Sequence, residues 1–305
     1  PRGIALVIGC NTFPTWNSYP GLFASLATGN AVMVKPHPRA VLPLAISVEV
    51  ARKVLRDNGF DPALVQLAAE SDGEGLARIL AERPEVAIID YTGGPAFGGW
   101  LEREGAASGK LVYTEKSGVN SIVVDSTDNL RGVLGNLAFS LSLYSGQMCT
   151  TPQNIYVPRD GIETDEGHLS LDELGARLGA AITKLTSDDA RAVEILGAIV
   201  NDDVRSRAVD LPGLAARLGG TVVLDARKVT HPSYPEAEVR APGLVALDVA
   251  DEAAYSQECF GPVTFLIATD STAQSLERMR ETIKEHGGMT AAVYSTSEDV
   301  LVGAR

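Results

Sequence analysis

Cysteine is scarce in this chain, with three in 305 residues, at positions 10, 149 and 259. Thiols so few and so scattered exclude a disulfide framework, and their odd number leaves at least one free; a reducing, cytoplasmic setting is expected. No apolar run approaches the ~18 residues that span a bilayer, and Ile4 to Ile8 is too short for a signal-peptide core, so no membrane partner is expected. Positive charge is also short: 26 Lys and Arg stand against 39 Asp and Glu, a net charge of −13. A phosphate backbone would meet repulsion, which excludes nucleic acid as a partner. The four histidines, at positions 37, 168, 231 and 286, have no cysteine at ligand spacing, so no metal site is expected. The G-x-S-x-G elbow, the Walker loop and H-E-x-x-H are all missing.

What remains is an ordinary globular composition, 45% hydrophobic and 21% charged, on a chain long enough for roughly two domains. Short apolar runs alternate with helical patterns. The first third reads as strand Ile4–Ile8, strand Ala31–Val34, helix Ala45–Asn58, strand Leu64–Leu67, helix Glu74–Ala81 and strand Val86–Ile89. Such alternation predicts a parallel sheet covered by helices. A second α/β unit follows: strand Ile122–Val124, helix Leu130–Leu143, strand Ile155–Val157, and a mostly helical stretch over 170–219 in which Leu171, Leu174, Leu178 and Ile182 recur at helical spacing. Strands return at Val222–Leu224, Leu244–Leu247 and Val263–Ile267, then a helix near Leu276–Glu285 and a strand at Ala291–Tyr294. The chain opens at Pro1 without a methionine and stops at Arg305 shortly after Ser297-Glu298-Asp299, a helix start; an excerpt of a longer polypeptide is expected.

The informative segment is Ser145-Gly146-Gln147-Met148-Cys149-Thr150-Thr151, where a cysteine follows a glycine after a long apolar helix. A lone cysteine is more often a small core residue than a nucleophile. Glycines such as Gly93, Gly94 and Gly98 are more often turn residues than a phosphate cradle. Lys35 and Glu258, each taken singly, read as a solvated surface charge and a strand-end carboxylate. Their order along the chain is what gives them specificity.

Gly146-Gln147-x-Cys149, with Glu115 and Ser117-Gly118 upstream, resembles the aldehyde dehydrogenase superfamily, which keeps its nucleophile and general base at this separation. The resemblance covers nearly the whole chain. Phe13-Pro14 through Gly29-Asn30 to Lys35-Pro36 is similar to the family's first cofactor segment, whose lysine reaches the adenosine ribose. Tyr91-Thr92-Gly93-Gly94, with Gly98 beyond, looks like its pyrophosphate-side turn at a helix start, where backbone N–H groups and the helix dipole favour an anion. Glu258-Cys259-Phe260-Gly261-Pro262 looks like the segment whose glutamate holds the nicotinamide ribose and whose phenylalanine packs beside the ring.

The resemblance implies an α/β fold: a doubly wound, parallel-sheet cofactor domain over residues 1–114, followed by an α/β catalytic domain over 115–305. It implies NAD(P)-dependent oxidation of an aldehyde to an acid, with Cys149 as nucleophile, Glu115 as base, and Lys35, Thr92, Gly93, Gly94, Gly98, Glu258 and Phe260 at the cofactor. Two places depart from the pattern. The family's oxyanion asparagine falls by strict count on Thr12, while the nearby asparagine is Asn11, so either could complete the oxyanion hole. The acid that grips the ribose hydroxyls in NAD-preferring members is Pro38, with Arg39 beside it, which leaves NADP or NAD open and NADP slightly favoured. The wording of Cys10–Asn17 and of Lys35–Pro38 resembles the branch associated with phenylacetate degradation, which implies a ring-cleavage semialdehyde. Competing readings are an acylating, coenzyme A-dependent dehydrogenase, whose relatives lack the glutamate, and a catalytically idle binding protein of the same fold. A small-molecule aldehyde is the expected partner, and a homo-oligomer the expected assembly of the whole protein.

Overall fold

The computed structural model of the chain describes residues 1–304, and they divide into two compact units, Pro1–Lys116 and Ser117 onward. The division falls two residues beyond the boundary expected from sequence, so Glu115 lies within the last strand of the first unit and does not open the second.

The first unit holds β1 (Ile4–Ile8), α1 (Pro14–Ala27), β2 (Ala31–Lys35), α2 (Val41–Asp57), β3 (Val65–Leu67), α3 (Leu76–Ala81), β4 (Val86–Gly93), α4 (Pro95–Ser108) and β5 (Leu111–Lys116). The strands form one parallel sheet in the order β3-β2-β1-β4-β5. Alternation along β1 sends Ala5 and Val7 to one face, where they pack with Leu22 of α1 and Leu44 and Val48 of α2. Leu6 and Ile8 go to the other face, against Ala81 of α3 and Leu101 of α4. Both faces are thus covered, which is why the strands read as continuous apolar runs. The chain order reverses direction at β1 and β4, and in sheets of this kind ligands bind outside the carboxyl ends of the strands at that switch.

The second unit contains β6 (Ser121–Val124), β7 (Ser126–Thr127), α5 (Leu130–Ser142), β8 (Asn154–Pro158), β9 (Ile162–Thr164), β10 (Gly167–Leu169) and α6 (Leu171–Leu185). The helical stretch continues through α7 (Asp189–Ala192), α8 (Asp202–Val209) and α9 (Leu211–Arg217). It ends with β11 (Thr221–Leu224), β12 (Lys228–Val229), β13 (Val239–Arg240), β14 (Gly243–Asp248), α10 (Glu252–Tyr255), β15 (Val263–Thr269), α11 (Thr272–His286), β16 (Ala291–Tyr294) and α12 (Glu298–Gly303). Its main sheet runs β11-β14-β15-β8-β6-β16, with β11 antiparallel and the rest parallel. One face packs on α5 and α6 through Leu137, Leu141, Leu174 and Ile182. The other packs on α9 and α11 through Leu211, Leu276 and Met279. Helix α6 starts in a reciprocal capping box between Ser170 and Glu173, which satisfies two backbone donors at once.

Candidate active site

Cys149 lies on the loop between α5 and β8, and the backbone before it is held in an unusual shape. Tyr144 and Ser145 both adopt positive φ, 54° and 55°, and Gly146 follows at 67°. Non-glycine residues in that region cost on the order of 1 kcal/mol or more each and persist only when their surroundings hold them. Here buried polar side chains hold the loop. The Ser145 hydroxyl lies 2.7 Å from the Arg240 carbonyl and 3.0 Å from that of Gly197, and accepts the Gly197 N–H at 3.2 Å. Gln147, buried, donates to the Tyr144 and Ala198 carbonyls at 3.1 and 2.9 Å and accepts the Val200 N–H at 2.9 Å.

Asn120, at the entry to β6, braces the cysteine itself. Its amide nitrogen donates to the Cys149 carbonyl at 2.6 Å and the Thr151 carbonyl at 3.0 Å, while its oxygen accepts the N–H groups of Met289 and Thr290 at 2.8 and 2.9 Å. That is an amide's full complement of donors and acceptors. Neither Asn120 nor the bracing role of Gln147 was found from sequence, because a side chain spanning three distant segments leaves no local pattern.

The Glu258 segment meets this loop. A Cβ on Gly146 would stand 2.3 Å from the Gly261 carbonyl oxygen, so the absence of a side chain lets the two backbones touch. Glu258 accepts the Ser117 hydroxyl at 2.8 Å, and burial pushes its carboxyl above the usual range. The Phe260 carbonyl accepts from Arg207 at 2.8 Å. Cys259 is a poor nucleophile: burial raises its thiol to about 11, and its N–H is tied to Gln153 at 2.6 Å.

In the first unit, Glu115 lies exposed on β5 and is oriented by its neighbours. Asn17 of α1 donates to its Oε2 at 3.0 Å, and Thr92 of the adjacent β4 reaches the same oxygen at 3.5 Å. Both of these contacts fall on one carboxylate oxygen. Cys10 in turn lies 3.6 Å from the Asn17 oxygen. Asp90 of β4 borders the same cavity of about 350 Å³, with Trp16, Asn17 and Tyr113. Burial first, and the charge of Glu115 second, raise its carboxyl to about 6. Asn17 and Asp90 carried no signal that sequence reading used. Asn11 and Thr12 both sit on the loop between β1 and α1.

The expected cofactor residues take different parts. The order of strands, the start of α1 after β1 and the start of α4 after β4 suit a dinucleotide at the carboxyl edge of the sheet. Neither helix start carries a side-chain cap, so first-turn N–H groups are available to an anion. A Cβ on Gly94 would meet nothing within 4 Å, while the buried Ser18 hydroxyl beneath Gly9 has no protein partner among the described residues. These features fit the group. The missing Cβ atoms of Gly93 and Gly98 make room for the Tyr91 ring and, at Gly98, also for the Lys116 side chain, so a side chain at either position would collide with its neighbours. Thr92 turns its hydroxyl to Glu115.

Lys35 is not the solvated surface charge that it reads as when taken singly. Its ammonium is buried against Glu70, on the loop after β3, and Arg39 is ion-paired with Asp72 at 3.0 Å. The reasoning from Pro38 that favoured NADP assumed no carboxylate near Lys35. The structure supplies one from a segment 35 positions further along the chain at residue 70.

Comparison with known proteins bears on the family and the fold. The family model described as "Aldehyde dehydrogenase family" matches residues 1–303. The crystal structure of an NAD-dependent aldehyde dehydrogenase from Burkholderia multivorans is 56% identical, with a TM-score of 0.94, covering 100% of this chain and 53% of that one. N-succinylglutamate 5-semialdehyde dehydrogenase of Hahella chejuensis (strain KCTC 2396) is 25% identical over 98% of this chain and 57% of its own length. 2-Aminomuconic 6-semialdehyde dehydrogenase of Pseudomonas sp. is 23% identical over 97% and 58%. The chain therefore spans little more than half the length of these relatives. Among the described residues, no helix is long and apolar enough to cross a membrane.

Proposed function

Because the chain belongs to the aldehyde dehydrogenase family, we propose that it serves the NAD(P)-dependent oxidation of an aldehyde to a carboxylic acid through a covalent intermediate on Cys149. The observation that carries this reading is the cysteine loop itself, a strained backbone whose carbonyl at Cys149 is fixed by Asn120. Strain maintained by buried polar braces marks a loop kept for chemistry.

The Cys149 sulfur attacks the aldehyde carbon, and its own N–H together with Asn11 or Thr12 holds the resulting oxyanion. Glu258, anchored by Ser117, holds the nicotinamide end of the dinucleotide, with Phe260 beside it. When bound, the nicotinamide supplies the acceptor for the hydride. The acyl group then remains on Cys149 as a thioester. Glu115, oriented by Asn17, takes a proton from water, and the hydroxide attacks the thioester carbon, releasing the acid and the thiolate.

A semialdehyde is the substrate class within this proposal, supported by two relatives whose names carry that word and by the segments that resemble the phenylacetate branch. Cytoplasmic location and homo-oligomeric assembly of the whole protein belong to the same proposal. A panel of aldehydes followed by nicotinamide absorbance tests it: turnover to free acid without coenzyme A is the expected result. Turnover only with coenzyme A supports acyl transfer in its place, and none with any aldehyde sinks the proposal.

A further inference from the structure

Strand β4 opens as an apolar run, Val86-Ala87-Ile88-Ile89, and Asp90 interrupts it ahead of Tyr91. A carboxylate set into a covered parallel sheet loses hydration and calls for a partner or a proton. Among the described residues the Asp90 carboxyl has no hydrogen bond and no ion pair, and α1, which packs over it, carries no charged side chain. The fold nevertheless clears space for it. A Cβ on Gly21 would stand 2.5 Å from the Asp90 carboxyl carbon, so any side chain at that turn of α1 would displace the acid.

Register puts Asp90 and Glu115 on one face. In the parallel pairing of β4 with β5, Asp90 stands opposite Tyr113 and Thr92 opposite Glu115. Residues two apart on a strand share a face, so the two acids are diagonal neighbours. Helix α1 covers both from positions four apart: Asn17 donates to Glu115, and Gly21 lies over Asp90. Both carboxyls border the cavity of about 350 Å³, whose other polar edges are Asn17, Tyr91, Tyr113 and Thr114, a space large and polar enough for several waters. The ionisable groups on the segments around Asp90 are Glu115 and Tyr113 of β5, Tyr91 beside it, Cys10 before α1, and Tyr19 of α1, whose hydroxyl meets Ser47. Lys116, which ends β5, is ion-paired with Glu102, and β1 carries no charge. With its carboxyl raised to about 6, Asp90 is ionised at neutral pH and takes up a proton more readily than an exposed aspartate does.

We propose that Asp90 is the proton acceptor for Glu115 during thioester hydrolysis, the proton passing through water in the cavity they share. The inference rests on the reading of Cys149 and Glu115 given above. Glu115 takes a proton from the attacking water as the hydroxide adds to the thioester carbon. The Glu115 O–H bond then breaks toward cavity water, which passes a proton to the Asp90 carboxylate and leaves Glu115 ionised for the next turnover. Asp90 gives the proton up to solvent. It acts through Glu115 and touches neither substrate nor dinucleotide, so it is a positioning residue.

Asp90→Asn keeps the shape and removes the acceptor, and it relieves the burial of a charge, so the variant is expected to fold. Rapid-mixing and steady-state kinetics of the full chain with an aldehyde and the oxidised dinucleotide, from about pH 5 to 9, test the inference. The first turnover of reduced cofactor should keep its rate within about twofold, while steady-state kcat falls about tenfold. The limb of the wild-type kcat profile that rises through about pH 6 should disappear, and added imidazole should restore kcat to the variant while changing the wild type little. A lowered kcat that keeps this limb or ignores imidazole is what a purely structural part predicts, and it overturns the inference. Loss of kcat in Glu115→Gln but not in Asp90→Asn overturns the part of Asp90 alone. Loss in neither variant, or no turnover by the wild-type chain, overturns the hydrolytic reading and the inference together.

Discussion

Glu115 is one of two acidic side chains on the border of a single cavity; the other, Asp90, is partly buried on β4. Its carboxyl rises from 3.8 to about 6, so between those values the folded chain keeps a proton that the unfolded chain has released. Stability therefore falls as pH rises through that window. A shift of this size corresponds to at most about 3 kcal/mol, which partial exposure reduces to about 1–2 kcal/mol. Asp90→Asn should raise the melting temperature at pH 8 and leave it nearly unchanged at pH 4; an equal effect at both pH values would show that ionisation is not the cause. Asn17→Ala removes the amide that orients Glu115. It is expected to lower kcat about tenfold with little change in KM, and an unchanged kcat would remove Asn17 from the mechanism. Asn11→Ala and Thr12→Val decide the oxyanion donor: the variant that loses about 10²–10³ in kcat identifies it, and two unaffected variants would exclude both. At this scale the sequence was legible where chemistry is local, as in Gly146-Gln147-x-Cys149. It was silent on Asp90, Glu70 and Asn120, whose partners lie on other segments.

Gly146 shows how two elements depend on one missing side chain. Its φ of +67° and the 2.3 Å that would separate a Cβ from the Gly261 oxygen make Gly146→Ala strained twice over. Backbone conformation alone costs about 1 kcal/mol, and the clash with a neighbouring carbonyl adds to it. The expected loss is at least about 2 kcal/mol in denaturant unfolding, together with loss of aldehyde oxidation; native stability in that variant would mean that the two loops do not touch. Strands were readable at this scale because burial on both faces makes them apolar runs: Ile4–Ile8 and Ala291–Tyr294 have the bounds that their sequence predicts. Helix α1 was passed over, since Pro20 lies inside it and no side chain caps its start. Helix α2 begins at Val41, four residues before the predicted Ala45, and carries Pro43 in its first turn, where a missing N–H costs no helical hydrogen bond.

Across the whole molecule, the residues proposed for the chemistry are divided between the two compact units, each built on its own main sheet. Each sheet ends in strands with a neighbour on one side among the described residues, β3 and β5 in the first, β11 and β16 in the second. Alternation of strands and helices made this architecture legible, while the position of the division was shifted by two residues because β5 runs on to Lys116. The central claim is that an acyl group passes through Cys149. Glu115→Gln, mixed with an aldehyde substrate and the oxidised dinucleotide, should release about one equivalent of reduced cofactor per site in a burst and then stall. Peptide mass spectrometry should find the acyl group on Cys149. An unmodified Cys149 with undiminished steady-state turnover in Glu115→Gln, or turnover retained in Cys149→Ala, would contradict the account.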